Sequence, residues 1–315
     1  MKYDLICAGT ALVDSIIREF DPVPVSASGY RAASGCLMCG GEAVNESIAA
    51  AKLGLRTGIL CALGKDAAGN LIRNELQESG VDTKWIVKAP QTPVSTLFVQ
   101  KDGSRKSITN NAHRYNFHPE KYENVFTDAR VLLLGSLFRA PFDDPEIIFS
   151  VLHAARKAGQ MIFADTKVPN FRALALNDLS DALPLIDFIT PNEDEARYLT
   201  GQEEPEKMAD TFLKKGVRNV IIKLGSRGCF LKNNRETCLM PGYRIHAVDT
   251  TGAGDHFIVG FISEILRGRT IQDALQFANA CGAICSTAVG AETALQSREQ
   301  VIQWMAEPQS EIRIV

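Results

Sequence analysis

Asp249-Thr250-Thr251-Gly252-Ala253-Gly254-Asp255-His256-Phe257 is the stretch on which the reading of this chain turns. Gly252, Ala253 and Gly254 carry no bulky side chain, so their backbone can approach an anion closely. An apolar pattern with helical spacing starts directly behind them, at Phe257, Ile258, Phe261 and Ile262. A helix beginning at Gly254 aims its unpaired N–H groups and the positive end of its dipole at whatever lies in front of the turn. Asp255 stands in that first turn. A carboxylate there is unfavourable for holding a phosphate, yet suited to accept a proton from a hydroxyl that attacks one. Taken alone, the stretch also reads as a Gly-rich loop before a helix with an acidic start.

Outward from this point, strand-like and helix-like patterns alternate. Strands are predicted at residues 3–9, 57–63, 131–135, 161–165, 187–190 and 220–224. Helices are predicted at 43–53, from the capping Asp66 to Gly80, and at 145–158, 192–201, 206–215, 254–266 and 271–288. This order predicts an α/β protein with a mostly parallel sheet and helices on both faces. Two stretches break the alternation. Residues 21–39 are rich in Pro, Ser and Gly, and residues 94–110 read as two strands around Asp102-Gly103. Both fit a small extra sheet attached to a single domain spanning 1–315.

Composition narrows the function classes. The 315 residues are 45% hydrophobic and 23% charged, with a net charge of −3. No basic block suggests a nucleic-acid or anionic-membrane partner. The start MKYDLICAGT is too short and polar for a secretory leader, and the longest apolar run, near 131–138, is too short to cross a bilayer. A cytoplasmic location is expected. Cys36 and Cys39 form a C-x-x-C, and Cys281 and Cys285 lie one helical turn apart, but no set has zinc-ligand spacing. Reduced, packed thiols are expected instead. Gly64-Lys65 is followed by Asp66, so it is no Walker A loop, and no protein-kinase motif set is present.

A second motif, Gly40-Gly41-Glu42-Ala43-Val44-Asn45-Glu46-Ser47, is followed by Gly54 and Gly64. Together with residues 249–257 it resembles the two signatures of the ribokinase family, the pfkB carbohydrate kinases, in the family's order and spacing. The resemblance runs from Asp14 to the C-terminal helices. It implies a ribokinase-like, doubly wound, mostly parallel sheet, with a small β lid from about residues 15–39 and 92–112. It further implies ATP-dependent phosphorylation of a sugar hydroxyl. Asp255 would be the base, with Gly252, Ala253, Gly254 and the Asp255 N–H as anion hole. Asp14, Gly40, Gly41 and Asn45 match positions that hold substrate hydroxyls, chemistry those groups suit.

Residues 190–195 resemble the family's N-x-x-E element, in which Asn192 and Glu195 would organise Mg2+, mostly through water. Asp165 and Lys167 follow a strand at its carboxyl end, where Asp165 can join the metal and Lys167 can meet a phosphate. Lys223, Gly225, Ser226 and Gly228 resemble the segment that touches ATP, and Asn279, Ala283 and Gly290 the adenine pocket. Asp249 and Thr251 match a possible monovalent-cation site, for K+.

Substrate choice rests on fewer residues. Asn110, Asn111, Arg114 and Arg139 are the candidates at the sugar end, and an Arg can pair a carboxylate bidentately. A ketose or a sugar acid is therefore expected, with fructokinase or ribokinase proper as alternatives. A nucleoside would want a stacking aromatic, for which only Phe138 offers itself. Lys101, Arg105 and Lys106 are too scattered for a sugar phosphate, and His113 and His118 lack a third metal ligand. Cys36, Met38 and Cys39 are unexpectedly apolar neighbours for a sugar. A non-catalytic sugar sensor on the same fold is a reading of another class, against which the base Asp255 argues. A homodimer through the lid is expected.

Overall fold

The computed structural model describes residues 1–18, 32–99, 105–110, 117–170 and 172–307. A nine-stranded sheet is built around β1 (Tyr3–Ala8). On one side of β1 lie β4 (Thr57–Leu63) and β5 (Ile86–Lys88). On the other side come β8 (Ala129–Leu137), β9 (Met161–Thr166), β10 (Phe188–Ile189) and β11 (Asn219–Lys223), and every pairing up to there is parallel. The far edge turns antiparallel through β12 (Cys229–Asn233) and β13 (Thr237–Met240).

The period-2 geometry of β1 explains why helices cover both faces. Leu5 and Cys7 enter one apolar core, while Ile6 and Ala8 enter the other. The first core takes α1 (Glu42–Lys52), α2 (Ala67–Glu78), α6 (Ala253–Leu266), α7 (Ile271–Cys285) and α8 (Arg298–Ala306). The second takes α3 (Pro145–Lys157), α4 (Glu193–Thr200) and α5 (Pro205–Lys214). The chain reaches β4 on one flank of β1 and later returns to β8 on the other. Strand order therefore reverses at β1, and the crevice at the carboxyl ends there is where open α/β sheets bind ligands.

A second sheet has the order β3-β2-β6-β7, from β2 (Leu12–Arg18), β3 (Ser34–Gly40), β6 (Val94–Val99) and β7 (Arg105–Thr109). This is the small extra sheet expected from the sequence, the proposed lid, and it starts at Leu12, so Asp14 belongs to it rather than to a loop. The Asp102-Gly103 turn lies outside the described residues. Helix α7 stops at Cys285, short of the predicted residue 288. The Ser286 carbonyl accepts Val248 N–H at 2.8 Å, and the Ser286 hydroxyl donates to Gly282 O at 2.9 Å, which closes the helix. The β12–β13 hairpin and α8 lie beyond the predicted elements. All eight cysteines are free thiols. Among the described residues no helix is long and apolar enough to cross a membrane.

Helix α6 is enclosed on all sides, with residues 255–264 buried. It crosses α7 where Gly260 faces Cys281, and a Cβ on Gly260 would lie 2.8 Å from Cys281 Sγ and 3.2 Å from Ala278 Cα. Gly260→Val should therefore lower unfolding free energy by about 2 kcal/mol or more through overpacking, read as a shifted urea midpoint. An unchanged midpoint would show that α6 and α7 can move apart freely.

Candidate active site

Helix α6 starts without a side-chain cap. Its N-cap is Gly252 in the left-handed region, φ 78°, and a Cβ there would run into Ala291. The first intrahelical bond is His256 N–H to Gly252 O at 2.9 Å, so by helical geometry the N–H groups of Gly254 and Asp255 have no partner in the helix. Asp249 braces the approach. Its Oδ1 accepts from Thr251 N and Oγ1 at 3.0 and 2.7 Å, and its Oδ2 accepts from Gly290 N at 3.2 Å. A monovalent cation at Asp249 and Thr251 would share oxygens that already hold this loop.

Asp255 is 6% exposed. Asn45 Nδ2 donates to its Oδ2 at 2.7 Å, which joins the two sequence motifs across 210 residues. Asn45 is placed by the start of α1, where Gly41 has φ 92° and Ala43 N–H donates to Thr10 O at 3.2 Å. Burial pushes the Asp255 carboxyl up to about 6, with Glu42 and Asp165 adding to the rise and Lys167 and the Asn45 hydrogen bond opposing it.

Two more carboxylates converge here. Glu46, Asp165 and Asp255 are all buried and each offers an oxygen within 4.8 Å of the others. Asp165 Oδ1 accepts from Lys223 Nζ at 2.7 Å and Thr190 Oγ1 at 2.8 Å. Asp165 Oδ2 and both Glu46 oxygens have no hydrogen-bond partner among the described residues. Burial, followed by the charges of Asp255 and Asp165, holds the Glu46 carboxyl far above its usual range. Neighbouring Asn192 and Glu195 form a reciprocal capping box on α4, with both bonds at 2.9 Å, and Thr166 Oγ1 adds a third bond to Glu195 at 3.0 Å. The N-x-x-E element thus has a structural duty of its own. An all-oxygen donor set with orphaned buried carboxylate oxygens fits Mg2+ and its waters.

On one side of Gly254 opens a cavity of about 280 Å³. Lys223, Gly225, Ser226, Gly228, Asn279 and Ala283 line it, as do Ala253 and Gly254 themselves. Asn279 is fixed there by bonds from Nδ2 to Met240 O and Pro241 O at 3.4 and 3.1 Å. Lys223 Nζ is 3.1 Å from where a Gly254 Cβ would stand, so the missing side chain leaves room for an ammonium beside the helix start. Gly290 lies elsewhere, against Met38 of the lid, with its N–H on Asp249. Tyr243, Arg244 and Ile245 also line the cavity. They come from an irregular segment with no periodicity to mark them in the sequence.

On the other side lie the sugar-end candidates. Asp14 packs against Gly40, where any Cβ would strike its carboxylate. Asn110 Oδ1 accepts Val94 N–H at 3.2 Å, which pins the lid hairpin. Arg139 Nε donates to Val168 O at 2.9 Å. Phe138 is fully buried with φ 77°, so it belongs to the core and stacks on no base. Asn111, Arg114, His113 and Lys101 lie outside the described residues. Glu42 and Ser136 were not singled out as site residues, yet Ser136 Oγ donates to Glu42 Oε2 at 2.9 Å and Lys167 Nζ lies 3.3 Å from Glu42 Oε1. Glu42 stands inside the Gly40-Gly41 motif, and that placement was the one available signal.

The raised Asp255 value has a stability consequence. The folded chain holds the proton up to about pH 6, whereas an ordinary aspartate releases it near 3.8. The resulting stabilisation is complete below pH 3.8 and lost as pH rises through about 6. Asp255→Asn cannot ionise, so at pH 8 it should be more stable than the parent by on the order of 1–3 kcal/mol, with the gap closing below about pH 4. Thermal melts at the two pH values measure this. A less stable Asn variant at pH 8 would contradict it.

Comparison with known proteins gives the arrangement its context. Residues 8–298 match the pfkB family carbohydrate kinases. A ribokinase from Haemophilus influenzae is 29% identical over 274 residues, 84% of this chain and 87% of that protein. A 2-dehydro-3-deoxygluconokinase from Bacillus subtilis is 29% identical over 323 residues, 97% of this chain and 96% of that protein. The structure of Arabidopsis thaliana ribokinase complexed with ribose and ATP superposes with a TM-score of 0.85 at 27% identity, covering 98% of this chain and 100% of that one. The fold is ribokinase-like, and the chain belongs to the pfkB family as a carbohydrate kinase.

Proposed function

We propose that this kinase transfers the γ-phosphoryl group of ATP to a hydroxyl of a small sugar, a ketose or a sugar acid, with Asp255 as general base. The observation that carries this is the Asp255 carboxylate itself. It is buried in the first turn of α6, between the unpaired N–H groups of that helix and the Asn45 amide of the Gly40-Gly41 motif. The cavity lined by Asn279, Ala283 and Gly225 takes ATP, with its phosphates toward Lys223 and Gly254. The sugar rests on Gly40-Gly41 and Asp14. Its hydroxyl oxygen attacks the γ-phosphorus as the proton passes to Asp255, and the bridging P–O bond breaks with its electron pair leaving on ADP. The N–H groups of Gly254 and Asp255 take up the charge that develops, whereas the Ala253 N–H, expected to join them, donates to Thr250 O at 3.2 Å.

Asp165, Asn192 and Glu195 would hold Mg2+, chiefly through water, and the ion would offset charge on the phosphate oxygens. Asp249 and Thr251 remain the proposed K+ site. Arg139, at the carboxyl end of β8, is the proposed partner of a sugar carboxylate, its Nε anchored on Val168 O. The name of one relative, a 2-dehydro-3-deoxygluconokinase, supports the sugar-acid reading, while the name ribokinase on another favours the alternative of an aldose such as ribose. A homodimer through the lid belongs to the same reading, because Leu37 and Ile108 expose apolar surface there.

A coupled ATP assay against a panel of sugars and sugar acids tests the proposal. Asp255→Asn should lose at least about 10²-fold in kcat with fold and nucleotide binding kept. Near-full activity in that variant would remove Asp255 as base. Because the base must be ionised, kcat/KM should fall about tenfold per pH unit below about 6 and level off above it. Arg139→Ala should raise KM for a sugar acid and not for a neutral sugar; equal effects on both would end the carboxylate assignment.

A further inference from the structure

Lys167 sits just past the end of β9, one strand removed from β8. Its backbone N–H donates to Leu137 O at 2.9 Å, which fixes the residue against β8 at the mouth of the crevice. The ammonium lies 3.3 Å from Glu42 Oε1, whereas the other lysine of the site, Lys223, reaches Asp165 at 2.7 Å. A charge-assisted bond is about 2.7–2.9 Å long, so Lys223 is locked and Lys167 is held loosely. With its side chain 24% exposed, Lys167 borders the crevice rather than the core. It does not line the cavity assigned to ATP, and it stands with Glu42 of the Gly40-Gly41 motif. The two ammonium groups therefore meet different carboxylates, Lys223 that of Asp165 and Lys167 that of Glu42.

The charges call for such a group. Glu42, Glu46, Asp165, Glu195 and Asp255 crowd one crevice in which, among the described residues, Lys167 and Lys223 are the cations that act on them. A phosphoryl group moving toward the sugar carries negative charge into this acidic side, away from Lys223.

We propose that Lys167 is a second catalytic cation, which leaves Glu42 to bind the oxygens of the phosphoryl group as it reaches the sugar hydroxyl. The inference rests on the kinase reading above. In the step, the sugar oxygen forms its bond to phosphorus, the bond to ADP breaks with its electron pair on ADP, and the proton goes to Asp255. Lys167 keeps its own protons and changes no covalent bond. Its three N–H donors supply charge and hydrogen bonds only.

The test compares wild type, Lys167→Met, Lys167→Arg and the double variant Glu42→Gln/Lys167→Met on the best sugar of the panel. Lys167→Met should lose about 10²-fold or more in kcat, while KM for sugar and ATP each move by less than about threefold. Lys167→Arg should recover part of the loss. The double variant should stay as slow as the single one, because no pairing of Lys167 with Glu42 is at issue. Recovery of the double variant to within about threefold of wild type would show that Lys167 merely neutralises Glu42, and would overturn the proposal. Wild-type kcat in Lys167→Met would overturn it as well. Should Lys167→Met fail to fold, the double variant, which removes both charges together, decides alone. A wild-type protein that phosphorylates no sugar would overturn the kinase reading and this proposal with it, a result distinct from an active wild type with active variants.

Discussion

The hydrogen bond from Asn45 Nδ2 to Asp255 Oδ2, 2.7 Å long, ties the start of α1 to the start of α6 beneath the carboxyl end of β1. Both helices begin at a glycine with positive φ, Gly41 and Gly252, and both deliver a polar side chain into the same buried space. A carboxylate enclosed this way is expensive to ionise, and the fold offsets the cost with Asn45, Lys167 and the positive end of α6. The rest of the molecule serves that arrangement. The apolar length of α6 and its close crossing with α7 at Gly260 hold the helix start still, while Asp249 fixes the loop that enters it.

Position in the sheet decides which residues can join. At the reversal of strand order around β1, the carboxyl ends of β1, β8, β9 and β11 bring together Gly135, Asp165, Lys167 and Lys223. Gly135 has a particular duty there, since a Cβ on it would lie 2.6 Å from Glu46 Oε2. The cavity beside Gly254 and the Gly40-Gly41 motif thus meet at one carboxylate, and β2 of the second sheet sets Asp14 against Gly40. Asp255 stands where the start of α6, the Asn45 amide and the charged groups Lys167, Glu42 and Asp165 come together.

Much of this was legible in the chain because it is local. The turn before α6, the Gly40-Gly41 pair, Asn45, Asn192 with Glu195, and most strands of the main sheet carry signals within a dozen residues. What stayed hidden depends on distant partners. Glu42 and Glu46 stand in the Gly40-Gly41 motif with no role of their own legible there, and only the arrival of β8 and β9 shows them facing Ser136, Lys167 and Asp165. Phe138 looked like an aromatic at a strand end, yet the backbone turn at φ 77° drives it into the core. Helix α7 ends where a long-range bond from Val248 takes the Ser286 carbonyl, an event that helical periodicity does not encode. The hairpin of β12 and β13 extends an edge, where short strands leave a weak pattern.

The central claim is that one hydroxyl of the sugar lies against Asp255 while the γ-phosphorus waits beyond the start of α6. A crystal structure of the kinase with its best sugar and a non-hydrolysable ATP analogue tests it most directly. The account predicts a single sugar hydroxyl within about 3 Å of an Asp255 oxygen and about 3–3.5 Å from the γ-phosphorus, in line with the bridging oxygen. A ternary complex in which every sugar hydroxyl is hydrogen-bonded away from Asp255, with the carboxylate facing only protein, would contradict it.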